Sequence, residues 1–343
     1  MIDVYARRLK CYEVSDITPG EMVDVSAGWF EMGRPYADEG FEEELPVHEV
    51  YLDAYKIGKY PVTNQEYAHA LNWANARGVL TDAKGNAYTA GLVFAYGKNM
   101  ADTFSSNDHA EITYGDGIFR VRNRTGYNRQ NFSMAHHPVV RVSWYGAIAF
   151  CNWLSEMNGL EQCYDTTDWT RYEPVRSGYR LPTEAEWERA AAWDAAGGGK
   201  HWRYGISSDE ISIARANYLG DSVANPLGLT TLPYTSPVGW YDGVNPAQLS
   251  NRSVFTKTSA SPAGAFDMAG NVWEWCYDWY QADYYAVSPE KNPSGPDSGT
   301  FRTLRGGAWN FNHRINRSAI RLRNAPETML YVYGFRVCIS NPS

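Results

Sequence analysis

The stretch RGGAWNFNHRINRSAIRLRNAPETMLYVYGFRVC, Arg305 to Cys338, sets large side chains in no folding order. A helix face would repeat its apolar residues every three to four positions, and a half-buried strand would alternate them. Neither pattern lasts here, yet Gly306-Gly307, Trp309 and Gly334-Phe335-Arg336 bracket the segment. Such a chain needs a scaffold that can hold irregular backbone. The composition suits one, with 13 Trp and 25 Tyr beside 30 Gly and 17 Pro. Trp and Tyr bury large areas while keeping one polar group to be partnered. Loop polar groups can then be met by side chains instead of by long ladders.

Charge and hydropathy exclude several classes. A net charge of −8 opposes sequence-independent binding to phosphates, so no nucleic-acid partner is expected. No apolar run approaches the roughly 20 residues of a membrane span. The start, MIDVYARRLKCYEV, lacks the apolar core of a secretory signal, so the chain as written reads as soluble and cytoplasmic. Five cysteines, Cys11, Cys151, Cys163, Cys276 and Cys338, are widely spaced with no C-x-x-C, which argues against a disulfide framework or a zinc site.

Local patterns give a coarse map. Residues 1–20 read as a lead-in strand or arm. GWFEMG and LPVHEVYLDAYKIGKYPVT read as strands, and Thr63 to Gly78 as a helix with Asn64 as N-cap. Residues 79–135 are polar, with turn signals at 84–86, 97–99 and 115–117, and read as hairpins inserted in the domain. Pro138 to Gly159 reads as a strand and a helix capped by Ser143. In YRLPTEAEWERAA, Thr183 and Glu186 form a capping box for a helix from about Pro182 to Ala195. Residues 200–262 are mostly loop.

The blocks GWFEMG, YPVTNQEY, PVVRVSWYGAIAFCNW, YRLPTEAEWERAA, GNVWEW, RGGAWN and GFRVC follow one another from residue 28 to 338. In that order they resemble the formylglycine-generating enzyme (sulfatase-modifying factor) family. The resemblance implies one α+β domain over 1–343 with a C-type-lectin-like fold, few regular elements and many loops. It also implies a copper-holding cysteine pair after the Gly-Gly motif, and here Phe311 and approximately Asn316 stand in those places. Neither offers a thiolate, so formylglycine synthesis is not expected, and no copper. The iron triad of the sulfoxide-synthase branch has no matching histidine spacing, so no iron is expected. A structural calcium is the metal the resemblance still implies, held by the carbonyls of Asp267, Gly270 and Val272 and the side chain of Glu274. The alternative is that Glu274 pairs with a basic residue or accepts backbone N–H bonds.

The C-terminus resembles more closely a non-catalytic branch, the variable proteins diversified by retroelements. That resemblance implies a ligand-binding region over 305–338 in which frame residues hold a loop and slot residues vary. The slots would be Phe311, His313, Arg314, Ile315, Asn316, Ile320, Leu322, Asn324, Leu330, Tyr331, Val332 and Tyr333. The frame would be Trp309, Arg317, Ser318, Ala319, Arg321, Pro326 and Gly334-Phe335-Arg336. Adenine mutation of an Asn codon can yield every residue at these slots but not Glu327 or Met329. Phe311 to Ile315 and Leu330 to Tyr333 are expected at the surface, because large aromatics and Arg on a rigid platform suit a binding hot spot. Ile320 and Leu322 stay open between slot and buried strand, since AIRLR alternates. The expected partner is a macromolecule, a protein or a surface glycan. A divergent oxidoreductase acting on a peptide or small molecule is the alternative, and it predicts a deep cleft with perturbed titratable groups.

Overall fold

Three helices start at hydroxyl caps in the computed structural model, which describes residues 20–340. The lead-in arm and Cys11 thus lie, all but Gly20, outside the described residues. In α1 (Asn64–Ala76) Thr63 Oγ1 accepts from Glu66 N at 3.3 Å while Glu66 accepts from Thr63 N at 2.7 Å. The cap is therefore Thr63, one residue before the Asn64 read from sequence. Asn64 Nδ2 instead donates to Met134 O at 2.9 Å, tying the helix start to the end of the hairpin region. Ser143 caps α2 (Trp144–Met157) as expected, its Oγ accepting from Gly146 N at 2.9 Å. Thr183 and Glu186 close the capping box of α3 (Glu184–Ala192). That helix begins after Pro182 and stops at Ala192, because Trp193–Asp194 leaves it to pair with Lys200–His201.

The expected strand before α2 does not form. Residues 138–142 make only single bridges, Thr63 with Pro138 and Ala101 with Val142. Pro138 has no N–H to give a ladder, and Arg141 at φ 60 breaks the pleat.

Two four-stranded sheets organise the described residues. In the first, Met22–Val25, Tyr55–Gly58, Cys338–Ser340 and Tyr179–Arg180 lie side by side, so the last strand is inserted among early ones. In the second, Leu322–Asn324, Arg302–Arg305, Trp273–Trp279 and Tyr333–Gly334 follow in that order, the last pair parallel. This second sheet carries the C-terminal segment. Residues 79–135 contain three hairpins, closed between Leu92–Ala95 and Lys98–Asp102, Ile112–Gly115 and Ile118–Val121, and Asn123–Thr125 and Asn131–Ser133. Nearly all of α2 is buried in one apolar cluster that also takes α1, the hairpins and the second sheet. A second cluster surrounds α3.

Candidate ligand-binding face

Four arginines of the C-terminal segment are buried, and each meets a carboxylate. Arg317 forks onto Glu44 with contacts of 2.6 and 2.8 Å, and its Nε donates to Arg314 O at 2.8 Å. Arg321 forks onto Glu184 at 2.7 and 2.9 Å and reaches Glu43 O at 2.9 Å. Arg336 forks onto Glu274 at 2.6 and 2.7 Å and also donates to Gly58 O and Phe266 O. Arg305 pairs with Glu188 and Glu184, and its two terminal nitrogens also donate to the carbonyls of Ser318, Ala319 and Ile320 at 2.8, 3.1 and 2.7 Å. A guanidinium offers five donors in a rigid fork, so each of these residues fixes both a carboxylate and a length of loop backbone. Burial pushes the Glu188 carboxyl up, but Arg305 and His201 beside it more than reverse that and hold it low.

Between these anchors the chain emerges. Asn312 Oδ1 accepts from Arg314 N at 3.1 Å and starts a short 3-10 turn, His313–Ile315. The side chains of His313 and Arg314 are 55% and 58% exposed and lean toward Glu39, at 3.9 and 3.4 Å. Exposed pairs of this kind contribute little to stability, so both side chains remain available to a partner. Leu330 is exposed, while Phe311, Ile315, Leu322 and Tyr331 are half-buried against the large core. Asn324 is half-buried and donates to Tyr333 Oη at 2.9 Å. On one flank His109, from the hairpin region, tilts onto Tyr331 with ring centroids 4.6 Å apart. Arg141 braces the same flank, donating to Met329 O at 2.9 Å and pairing with Asp102.

Four slots are buried, and at two of them, Val332 and Tyr333, exposure was expected. Tyr333 is 4% exposed and stacks edge-on with Trp275, because its strand pairs with Trp273–Trp279 in the core sheet. Val332 and Ile320 are buried in the same apolar cluster. Asn316 is 0% exposed and its Nδ2 donates to Phe311 O and Asn312 O at 2.8 and 2.7 Å. Its amide closes the loop that presents the neighbouring side chains. The frame residues Trp309, Arg317, Ser318, Ala319, Arg321, Pro326, Gly334, Phe335 and Arg336 are all buried.

Glu274, the acid expected on calcium, is fully buried and held by Arg336 and by Trp187 Nε1 at 2.7 Å. The pairing with a basic residue is therefore present. One lone pair of Oε1 stays free, and among the described residues no hydrogen bond is found to the carbonyl oxygens of Asp267, Gly270 or Val272. The donor set thus still fits a hard cation that prefers oxygen. The four described cysteines are buried with free thiols, and burial pushes those of Cys276 and Cys338 well above the usual range. No group of three His, Cys, Asp or Glu suited to a metal occurs among the described residues.

A polar cleft elsewhere in the described residues is lined by none of the slot residues. It measures about 530 Å³ and is lined by Asp53, Arg171, Glu173, Arg180, Glu186 and Ser340, among others. Its charges satisfy one another: Arg180 forks onto Glu186 at 2.6 Å and Arg171 holds Glu173 at 2.9 Å.

Residues 11–341 match the family model of the sulfatase-modifying factor enzyme 1-like domain. The chain belongs to this family. It is 31% identical over 322 residues to a formylglycine-generating enzyme of Streptomyces coelicolor, covering 92% of this chain and 87% of that one. It is also 30% identical over 318 residues to the serine/threonine-protein kinase pkn1 of Chlamydia caviae, covering 92% of this chain but 37% of the kinase. The chain therefore spans well under half the length of the kinases it matches. Among solved structures, Treponema denticola variable protein 1 superposes with a TM-score of 0.56 at 23% identity, over 93% of this chain and 95% of that one. PvdO from Pseudomonas aeruginosa gives 0.58 at 24%, over 95% and 97%. The fold class read from sequence is thus the one this family shares, and no helix is long and apolar enough to cross a membrane among the described residues.

Sequence reading missed the acids that anchor the frame. Glu184 and Glu188 sit four apart on α3 and look like a solvated helix face, yet both are buried against Arg305. The available signal was an excess of arginine in a segment otherwise rich in apolar residues, which requires buried acids elsewhere.

Proposed function

We propose that this chain is a binding protein of the family, presenting its C-terminal face to a macromolecular ligand, a protein or a surface glycan, without chemistry. The observation that carries the reading is the division of one short segment into two populations. Arg305, Arg317, Arg321 and Arg336 are locked to buried carboxylates, while Asn312, His313, Arg314 and Leu330 project outward between them. A rigid backbone with exchangeable side chains is what a specificity surface needs, since little ordering entropy remains to be lost on binding. Phe311 and Asn316, where the family oxidase has cysteines, supply no thiolate, and Asn316 is consumed in holding the loop. Replacing His313, Arg314, Leu330 and Tyr331 together with alanine should leave the fold intact while abolishing recognition. A purified chain that consumes oxygen in the presence of a cysteine peptide would refute this in favour of an oxidoreductase.

A structural calcium belongs to the same proposal, held by the carbonyls of Asp267, Gly270 and Val272 with the free lone pair of Glu274. Millimolar calcium should raise the melting temperature and excess chelator should reverse it. Equal melting curves in the two conditions would remove the ion from the account.

A further inference from the structure

We propose that Trp273 and Trp309 form a fixed hydrogen-bond-donor floor beneath the C-terminal face, which takes a carbonyl or carboxylate oxygen of the bound partner between Phe311 and Tyr331. The inference rests on that face being the contact surface. Trp273 and Trp309 are 1% and 3% exposed, and neither Nε1 has a partner among the described residues. A buried donor left unpaired costs about 1–3 kcal/mol, and this fold avoids it at its other deeply buried indoles. Trp144 donates to Cys276 O at 2.9 Å, Trp275 to Val142 O at 3.2 Å, Trp187 to Glu274 at 2.7 Å and Trp153 to Tyr96 Oη at 3.2 Å.

Each of the two exceptions packs against a slot residue of this face. Phe311 stands edge-on to Trp273, centroids 5.8 Å apart, and Tyr331 tilts over Trp309 at 6.0 Å. Each unpaired indole is thus roofed by a half-buried slot residue. The backbones beneath are held by main-chain hydrogen bonds: Trp273 N donates to Val332 O at 2.8 Å and Trp309 N to Asn271 O at 3.0 Å. Tyr234 closes the far side of Trp309 at 5.2 Å. The slot residues would then set access and shape, while the floor supplies donors common to all variants. An oxygen acceptor is what such a floor recognises, because indole N–H donates and cannot accept.

The test uses the full chain labelled with nitrogen-15, its indole N–H resonances assigned through Trp273→Phe and Trp309→Phe. Sodium acetate, N-methylacetamide and sodium chloride are titrated into the wild type, into Phe311→Leu and into the Phe311→Leu/Tyr331→Leu pair. The Trp273 and Trp309 resonances should move downfield and saturate with an oxygen probe, at a several-fold lower concentration once the roof is trimmed. The other indoles and the chloride titration should stay unchanged. Preference for acetate would mark a carboxylate ligand, and preference for the amide a peptide or N-acetyl group. Two outcomes overturn the proposal. The resonances could remain fixed with contacts only to buried water, or the Trp273 signal could respond to Phe311→Leu alone, as a simple N–H to ring contact would. If selected ligands bind the face while both indoles stay silent, the floor fails and the binding reading stands.

Discussion

Arg317 has no exposure and neither has its partner, so removing one side of the pair strands a charge. Arg317→Met should cost about 3–5 kcal/mol of unfolding free energy, the usual range for breaking a buried pair. Adding Glu44→Leu should return only part of that loss, because Arg34, 3.6 Å from the same carboxylate, then loses its partner. Chemical denaturation of the three proteins checks both statements, and a neutral Arg317→Met would contradict them. Asn316 is a smaller case of the same logic. Its alanine variant loses two hydrogen bonds from a buried amide to part-buried loop carbonyls and should cost about 1–3 kcal/mol. A slot residue tolerant of exchange would show no such loss. His313→Ala and Arg314→Ala, by contrast, should leave stability within about 0.5 kcal/mol, as exposed substitutions usually do.

Among the elements, the Trp273–Trp279 strand makes the sharpest pH prediction. Asp278 is buried there and accepts from Glu184 N at 2.8 Å, with no cation in direct contact among the described residues. Burial, reinforced by the Glu184 charge, pushes its carboxyl up to about 8. A folded value above the unfolded one means the native state binds the extra proton. Its stabilising contribution is therefore full below the unfolded value of 3.8 and is lost as pH rises through about 8. Asp278→Asn should flatten the stability profile across that window, and an unchanged slope would show that Asp278 ionises normally. The helices were legible in the sequence because their signals are local: Thr183 and Glu186 lie three residues apart and need nothing distant. The burial of Tyr333 was not legible, since it follows from a parallel pairing with a strand sixty residues earlier in the chain. Separations of 121 and 117 residues hid Arg305 from Glu184 and Glu188. Of the slots read from sequence, His313, Arg314 and Leu330 are exposed, and so is Asn312, which was not among them.

At the scale of the molecule, the described residues wrap two main apolar clusters in loops whose polar groups are met by buried side chains. The last described strand lies between early ones in the first sheet, so the C-terminal segment cannot loosen without opening both sheets. That arrangement lets a few exposed positions change while the surroundings stay fixed. The central claim is tested by a display library varied at Phe311, His313, Arg314, Ile315, Leu330 and Tyr331, sorted for resistance to proteolysis and then for binding to arrayed proteins and glycans. The account predicts that most variants resist digestion like the parent and that different slot combinations select different ligands. Widespread unfolding, or binding that ignores the slots, would contradict it.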